Sequence, residues 1–247
     1  MNINTYNSKK EASNQAALKG EQIIGALQKK KSIIRIVLAT GASQLQMLDK
    51  LVTSKKINWQ NCEIYHLDEY IGLSPEHPAS FVKFLNERFI SKIPSVALFE
   101  KIRGNSKSID DELLRLNSSI QSKVIDIAFI GIGENSHLAF NDPPANFETK
   151  SPYLEVSLDS KCRNQQVKEG WFESFDLVPQ KAITMSIKQI LSSNKIICTA
   201  LDTRKAKAVS DAIKGPYTNL CPASALQNHK KTYFYLDHEA AKLLPGH

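Results

Sequence analysis

The chain reads as an α/β protein built on an open, mostly parallel, doubly wound sheet of the Rossmann-like kind, with helices on both faces. Three observations predict this. Short apolar runs rich in β-branched residues recur along the chain, at 33–38, 125–130 and 195–201. Amphipathic stretches separate them, and that alternation is the pattern of parallel strands joined by crossover helices. The runs end on glycines, hydroxyls, acids or a histidine, and open α/β sheets gather their chemistry at the carboxyl ends of strands.

Taken in order, residues 8–31 place Ala12, Ala16, Leu18, Ile23, Ile24 and Leu27 among charges, which predicts an amphipathic helix. Lys29, Lys30 and Lys31 close it, where cations suit the helix dipole. Residues 33–38 form a strand, and a helix follows from about 43 to 53. Residues 63–67 are a second strand, followed by a helix near 79–89. A short strand near 96–99 precedes a helix at about 109–122 and the strand at 125–130. Beyond it, 154–158, 182–187 and 195–201 are strand-like, and 203–213 is helical. Pro222 opens a short helix, and 232–236 is the last strand.

Length and composition bound the rest. At 247 residues one α/β domain spanning 1–247 is expected, with no internal repeat or linker. A hydrophobic content of 42% supports a sizeable core, and 23% charged residues argues against disorder. No apolar stretch approaches the roughly 18 residues that span a bilayer. The first residues lack the profile of a signal peptide, so a soluble, cytoplasmic chain with no membrane partner is expected. The net charge of +7 suits an anionic small molecule. The lysines are scattered and no nucleic-acid-binding motif is present, so no nucleic-acid partner is expected. Cys62, Cys162, Cys198 and Cys221 lie far apart, which argues against a zinc site or disulfide framework. Cys62 and Cys198 read as small core residues, and Cys162 as a thiol in polar surroundings.

Three strand ends carry candidate chemistry. Thr40, Gly41, Ala42 and Ser43 follow the first strand and open a helix. Free N–H groups and two hydroxyls there suit a phosphate, although a plain strand-to-helix turn capped by Ser43 reads equally well. Asp68 and Glu69 end the second strand. Adjacent carboxylates point in different directions, so one can face a pocket while the other ties down backbone. A solvated acidic turn is the alternative. His66 alternates inward and reads as a satisfied core histidine, while His77 and His229 cap or pack locally. The third strand end is the stretch from Gly131 to Pro144, with His137 between Glu134 and Asp142. A carboxylate-supported imidazole moves protons near neutral pH. No second histidine stands at helical ligand spacing, so no metal is expected.

Together these segments resemble the glucosamine-6-phosphate deaminase (isomerase) family, within the superfamily shared with 6-phosphogluconolactonase. The likeness runs from about Lys31 to Tyr235. It rests on Thr40–Ser43, on Asp68-Glu-Tyr-Ile-Gly-Leu73, on Gly131–Pro143, and on Lys205 in Asp202-Thr-Arg-Lys-Ala206. The resemblance implies acid–base chemistry on a hexosamine 6-phosphate with no cofactor. His137 would assist ring opening. Asp68 would carry a proton from C2 to C1 through an enolamine, and ammonia would leave C2. Thr40, Gly41, Ala42, Ser43 and Lys205 would hold the phosphate, with Glu69 beside the substrate.

Arg163 is a further phosphate candidate or a surface arginine. An ungapped reading puts the family's arginine nearer Gln166. Gln44 stands in place of the family's proline, Ser136 in place of a glycine, and Asp142 in place of a glutamate. Asn135 stands where some members have an aspartate supporting the histidine. A lactonase is the nearest enzyme alternative, though its loops typically read Asp-Glu-Arg and Ser-Leu-Phe-Pro. A non-catalytic sugar-phosphate sensor is the alternative from another class. The resemblance leaves a homo-oligomer possible and gluco or galacto configuration open. The ending soon after the last strand predicts no activation by the N-acetyl sugar phosphate. The polar stretch 146–170 would permit a lid.

Overall fold

A computed structural model describes residues 1–121 and 123–246. The elements in chain order are β1 (Asn2–Tyr6), α1 (Lys9–Gln28), β2 (Ile34–Leu38), α2 (Leu45–Leu51), β3 (Cys62–His66), β4 (Asp68–Tyr70), α3 (Phe81–Arg88), β5 (Leu98–Glu100), α4 (Ile109–Ile120), β6 (Ile127–Ile130), β7 (Tyr153–Ser157), α5 (Ser160–Lys168), β8 (Lys181–Met185), α6 (Ile187–Leu191), β9 (Ile196–Ala200), α7 (Ala206–Lys214), β10 (Thr232–Asp237) and α8 (His238–Ala241). Short 3₁₀ turns lead into α2 and α7 and occupy Pro222–Asn228. The end of the helix expected at 109–122 falls on Ser122, outside the described residues.

Among the described residues the main sheet has seven strands in the order β1-β10-β9-β6-β2-β3-β5, and every pairing in it is parallel. The alternation of side chains along these strands builds a core on each face. Ile36, Leu38, Ile64, Ile127, Phe129 and Ile197 pack against α1, α2 and α3. Val37, Tyr65, Ala128, Ile130, Cys198 and Phe234 pack on the other face with α4 and α7. Gly20 lets α1 approach the sheet closely, because a Cβ there would lie 2.5 Å from the Phe129 ring. The strand order reverses direction between β6 and β2, and this switch point is where open α/β sheets bind ligands. Among the described residues, no helix is long and apolar enough to cross a membrane.

Three features depart from the sequence expectation. β1 is a strand on the sheet edge, parallel to β10, where the sequence offers no apolar run. The strand-like stretches near 154–158 and 182–187 do not join the parallel sheet. With Asp68–Tyr70 they make a three-stranded antiparallel sheet, β4-β8-β7. Its apolar residues divide between the main core (Tyr153, Ile183, Met185) and a satellite core in which Tyr70 and Ala182 pack with Phe81, Phe140 and Phe172. The stretch 146–170 holds β7 and a regular helix, α5, whose N-cap Asp159 accepts from the Cys162 N–H at 2.6 Å.

Candidate active site

Four strand ends converge on one cleft of about 220 Å³ at the switch point. β2 delivers Ala39–Gln46, and β3 delivers Leu67 and Asp68. β6 delivers Gly131 through Ala139, and β9 delivers Leu201, Asp202, Arg204 and Lys205. Phe81, Phe140 and the α5 end (Gln165, Gln166, Glu169, Trp171) close the sides.

The loop after β2 is a ready anion seat. Gln44 N–H returns to the Gly41 carbonyl at 2.8 Å and starts the turn. The N–H groups of Gly41, Ala42 and Ser43 donate to no acceptor among the described residues. Such groups at the start of a helix attract negative charge. The Ser43 hydroxyl accepts from Leu201 N–H at 3.3 Å, tying this loop to the one after β9. Gln44 donates to the carbonyls of Ile130 and Thr199 at 3.1 and 3.2 Å, so the residue in the proline position stitches β6 to β9. Lys205, 6% exposed, sits on the first turn before α7 and lines the same end of the cleft. Its ammonium has no hydrogen-bond partner among the described residues. Burial lowers its pKa, against the opposing pull of Glu169 and Glu134.

Asp68 leaves β3 and faces the cleft, 7% exposed. No donor among the described residues reaches its carboxyl. Burial, with the Glu69 charge added, raises its pKa well above the ordinary carboxylate value. His137 lines the cleft as well, with Nδ1 3.1 Å from Asp142 Oδ1. Asp142 is braced in turn. Its Oδ1 accepts from Asn135 Nδ2 at 2.9 Å and its Oδ2 from Asp159 N–H at 3.1 Å. Burial would raise the Asp142 carboxyl, but the bonds from His137, Asn135 and Asp159 outweigh it and leave its pKa lowered. Asn135 also accepts from His137 N–H at 3.2 Å. The methylene lost from glutamate to Asp142 therefore leaves the contact to the imidazole in place. Gly133 is fixed by packing, because a Cβ there would fall 2.2 Å from His137 Nε2. Ser136, in the family's glycine position, has φ of +68°, a left-handed conformation that a side chain strains.

The structure thus brings Thr40, Gly41, Ala42, Ser43, Asp68, His137 and Lys205 onto one cleft, with Asn135 and Asp142 behind the histidine rather than on the wall. It places the other two candidates elsewhere. Glu69 turns away from the cleft and accepts from Tyr70, Phe81 and Val82 N–H and from the Ser80 hydroxyl. It anchors the start of α3, because alternation along β4 sends it to the face opposite Asp68. Arg163 lies over the Phe175 ring and donates to the carbonyls of Phe175 and Val178. Its place on α5 points it at the 175–178 turn. Cys162 is not an exposed thiol but is 1% exposed, in the satellite core.

His66 is a satisfied core histidine. Its Nδ1 donates to Asp68 O and its Nε2 accepts from Ile102 N–H, both at 2.9 Å. His77 accepts from Ala79 N–H, and His229 bridges Thr232 and Ser193. Sequence reasoning missed Gln165, Gln166, Glu169 and Arg204. Gln166 could have been found from the ungapped position of the family's arginine, and Arg204 from its neighbour Lys205. Glu169 carries no local signal. It is held in the wall by Gln165 at 2.7 Å and Trp171 Nε1 at 3.3 Å.

Comparison with known proteins identifies the family. The family described as glucosamine-6-phosphate isomerases/6-phosphogluconolactonase matches residues 7–234. A glucosamine-6-phosphate deaminase of Exiguobacterium sibiricum is 35% identical over 211 residues, covering 85% of this chain and 81% of that protein. One from Thermoanaerobacter sp. strain X514 is 34% identical over 232 residues, covering 92% and 90%. Among solved structures, a monomeric glucosamine-6-phosphate deaminase superposes with a TM-score of 0.90 at 32% identity, over 98% of this chain and 100% of that one. The 6-phosphogluconolactonase of Trypanosoma brucei has a TM-score of 0.80 at 16% identity, over 98% of each chain, and shares the fold.

Proposed function

The chain belongs to the family of glucosamine-6-phosphate isomerases and 6-phosphogluconolactonases, and from that premise we propose that it is an amino-sugar-phosphate deaminase. It converts glucosamine 6-phosphate and water to fructose 6-phosphate and ammonia. The observation that carries this reading is the pair Asp68 and His137 on one cleft, the first a buried carboxyl without a partner among the described residues and the second braced from behind.

The phosphate sits on the N–H groups of Gly41, Ala42 and Ser43, with the Thr40 and Ser43 hydroxyls and the Lys205 ammonium. These contacts fix the far end of the sugar and supply binding energy remote from the reacting carbons. His137, held by Asp142, passes a proton between the anomeric hydroxyl and the ring oxygen, and the ring opens. Asp68, ionised, removes the C2 proton. The electron pair moves into the C1–C2 bond and the aldehyde oxygen takes up a proton, which gives the enolamine. Return of a proton to C1 leaves an iminium at C2. Water adds there, the C–N bond breaks, and ammonia departs. The raised pKa of Asp68 matches the role, since a base works best when its pKa lies nearer the working pH.

The test is ammonia release from glucosamine 6-phosphate by the purified protein, with Asp68→Asn and His137→Gln beside it. Release that both substitutions abolish supports the assignment. Thermal stabilisation by the sugar phosphate without ammonia release supports a sensor instead, and turnover of 6-phosphogluconolactone supports a lactonase.

A further inference from the structure

Behind the catalytic histidine lies a set of ligand atoms that the deaminase chemistry does not use together. Cys162 Sγ, one ring nitrogen of His137 and one carboxylate oxygen of Asp142 all lie within 4.8 Å of one another. They come from two separate elements, the loop after β6 and the first turn of α5. Both elements are held firmly. Asp142 is fixed by Asn135 and by Asp159 N–H, and Asp159 Oδ1 in turn holds the Cys162 N–H. We propose that Cys162, His137 and Asp142 form an inhibitory site for a soft divalent cation of the zinc class.

The donor set is the argument. One thiolate, one imidazole and one carboxylate match zinc, which takes sulfur, nitrogen and oxygen ligands and tolerates three from the protein with a fourth position open. Metal–ligand distances of about 2.0–2.3 Å in tetrahedral geometry put ligand atoms about 3.3–3.7 Å apart. The Nδ1–Oδ1 pair already lies at 3.1 Å. The 4.8 Å bound on the set exceeds the tetrahedral spacing by about 1 Å, a gap that a χ1 adjustment of Cys162 can close. Hard cations such as magnesium want six oxygens and are not served by this set.

Binding is stoichiometric proton exchange. The thiol proton passes to solvent and the single proton of the neutral imidazole moves to Nε2, so that the metal takes Sγ and Nδ1. His137 then loses its hydrogen bond to Asp142 and can no longer become the cation that proton transfer at Nε2 requires. The site is thus an off-switch placed behind the ring, without any group blocking the cleft. Cys162 has no part in turnover as a nucleophile, because it is buried in the satellite core and does not line the cleft.

Binding is tested independently of turnover. Cadmium ion titrated into the full-length protein is expected to give an ultraviolet thiolate-to-metal charge-transfer band that saturates at one equivalent. Cys162→Ser is expected to abolish the band and Cys221→Ser to leave it. Inhibition, which rests on the deaminase reading, is then measured with zinc ion on ammonia release, each variant against its own metal-free rate. Cys162→Ser is expected to raise the inhibitory zinc concentration by more than the roughly 10–100-fold that loss of an outer-sphere partner costs. A missing band in the folded wild type overturns the site. So does a band, or zinc inhibition, that survives Cys162→Ser unchanged. A protein that binds cadmium through Cys162 but releases no ammonia keeps the site and loses the deaminase reading.

Discussion

Asp68 and Glu69 are adjacent carboxyls on one three-residue strand, both buried, and they live in opposite circumstances. Glu69 accepts four hydrogen bonds and holds the entry to α3. Asp68 accepts none among the described residues and opens on the cleft. The same contrast separates His66, bonded at both ring nitrogens, from His137, bonded at Nδ1 with no partner among the described residues at Nε2. Within the cleft itself, Arg204 is paired with Glu134 at 3.3 Å and Asp202 at 3.4 Å, whereas Lys205 is paired with nothing described. Scaffold polar groups spend their hydrogen bonds inside the chain, and site groups keep theirs for a ligand. A buried polar group left unpaired is costly, so it persists where function requires it.

Substitution separates the two classes. The largest effect falls on Asp68→Asn. Turnover, followed by ammonia release, is expected to drop by about 10²–10⁴-fold, while the melting temperature at neutral pH rises. The folded pKa of Asp68 is raised, so the folded state keeps a proton that the unfolded chain gives up. Stability then falls as pH climbs from the ordinary carboxylate range through the folded value, and asparagine removes that loss. A variant that melts below wild type would break the comparison.

His66 supplies the converse. Its pKa is lowered from 6.5 to about 4 by burial. The unfolded chain binds the proton first, so stability is full above pH 6.5 and declines as pH falls toward 4. The gap corresponds to about 3 kcal/mol. Denaturant unfolding across that range checks it, and His66→Gln is expected to flatten the slope.

Glu69→Gln should cost about 2 kcal/mol of stability, because an amide presents donors to backbone N–H groups that need an acceptor. Its effect on KM is expected to be small, and a large rise in KM with unchanged stability would return Glu69 to the substrate. The smallest effect belongs to Ser136→Gly. Relief of the left-handed strain at φ +68° should add about 1 kcal/mol, less the entropy that glycine brings to the unfolded chain. Calorimetry reads it directly, and activity should hold or improve.

The parallel sheet was legible in the sequence because β2, β6 and β9 are largely buried on both faces and appear as near-continuous apolar runs, broken by Arg35 in β2 and Thr199 in β9. The strand ends after β2, β3 and β6 were legible because small residues and acid–base groups stand directly behind those runs. β1 was not, since Asn-Ile-Asn-Thr-Tyr is a half-exposed edge that pairs with β10, more than 220 residues away. The antiparallel trio was not, because a strand-like run does not say which strand it joins.

By itself, then, the sequence determined the α/β class, the strands of the main core, and the positions of Asp68, His137, Lys205 and the Thr40–Ser43 loop. All but Lys205 depend on local pattern, namely which residues are apolar, small or able to move a proton, while Lys205 was marked by the family resemblance. Tertiary structure alone decided that Glu69 is an anchor, that Arg163 turns away, that Gln165, Gln166 and Glu169 wall the cleft, and that Cys162 lies against the His137–Asp142 pair. Each of those outcomes rests on a partner brought close only when the chain folds, and a side chain's role follows from which partner takes its hydrogen bonds.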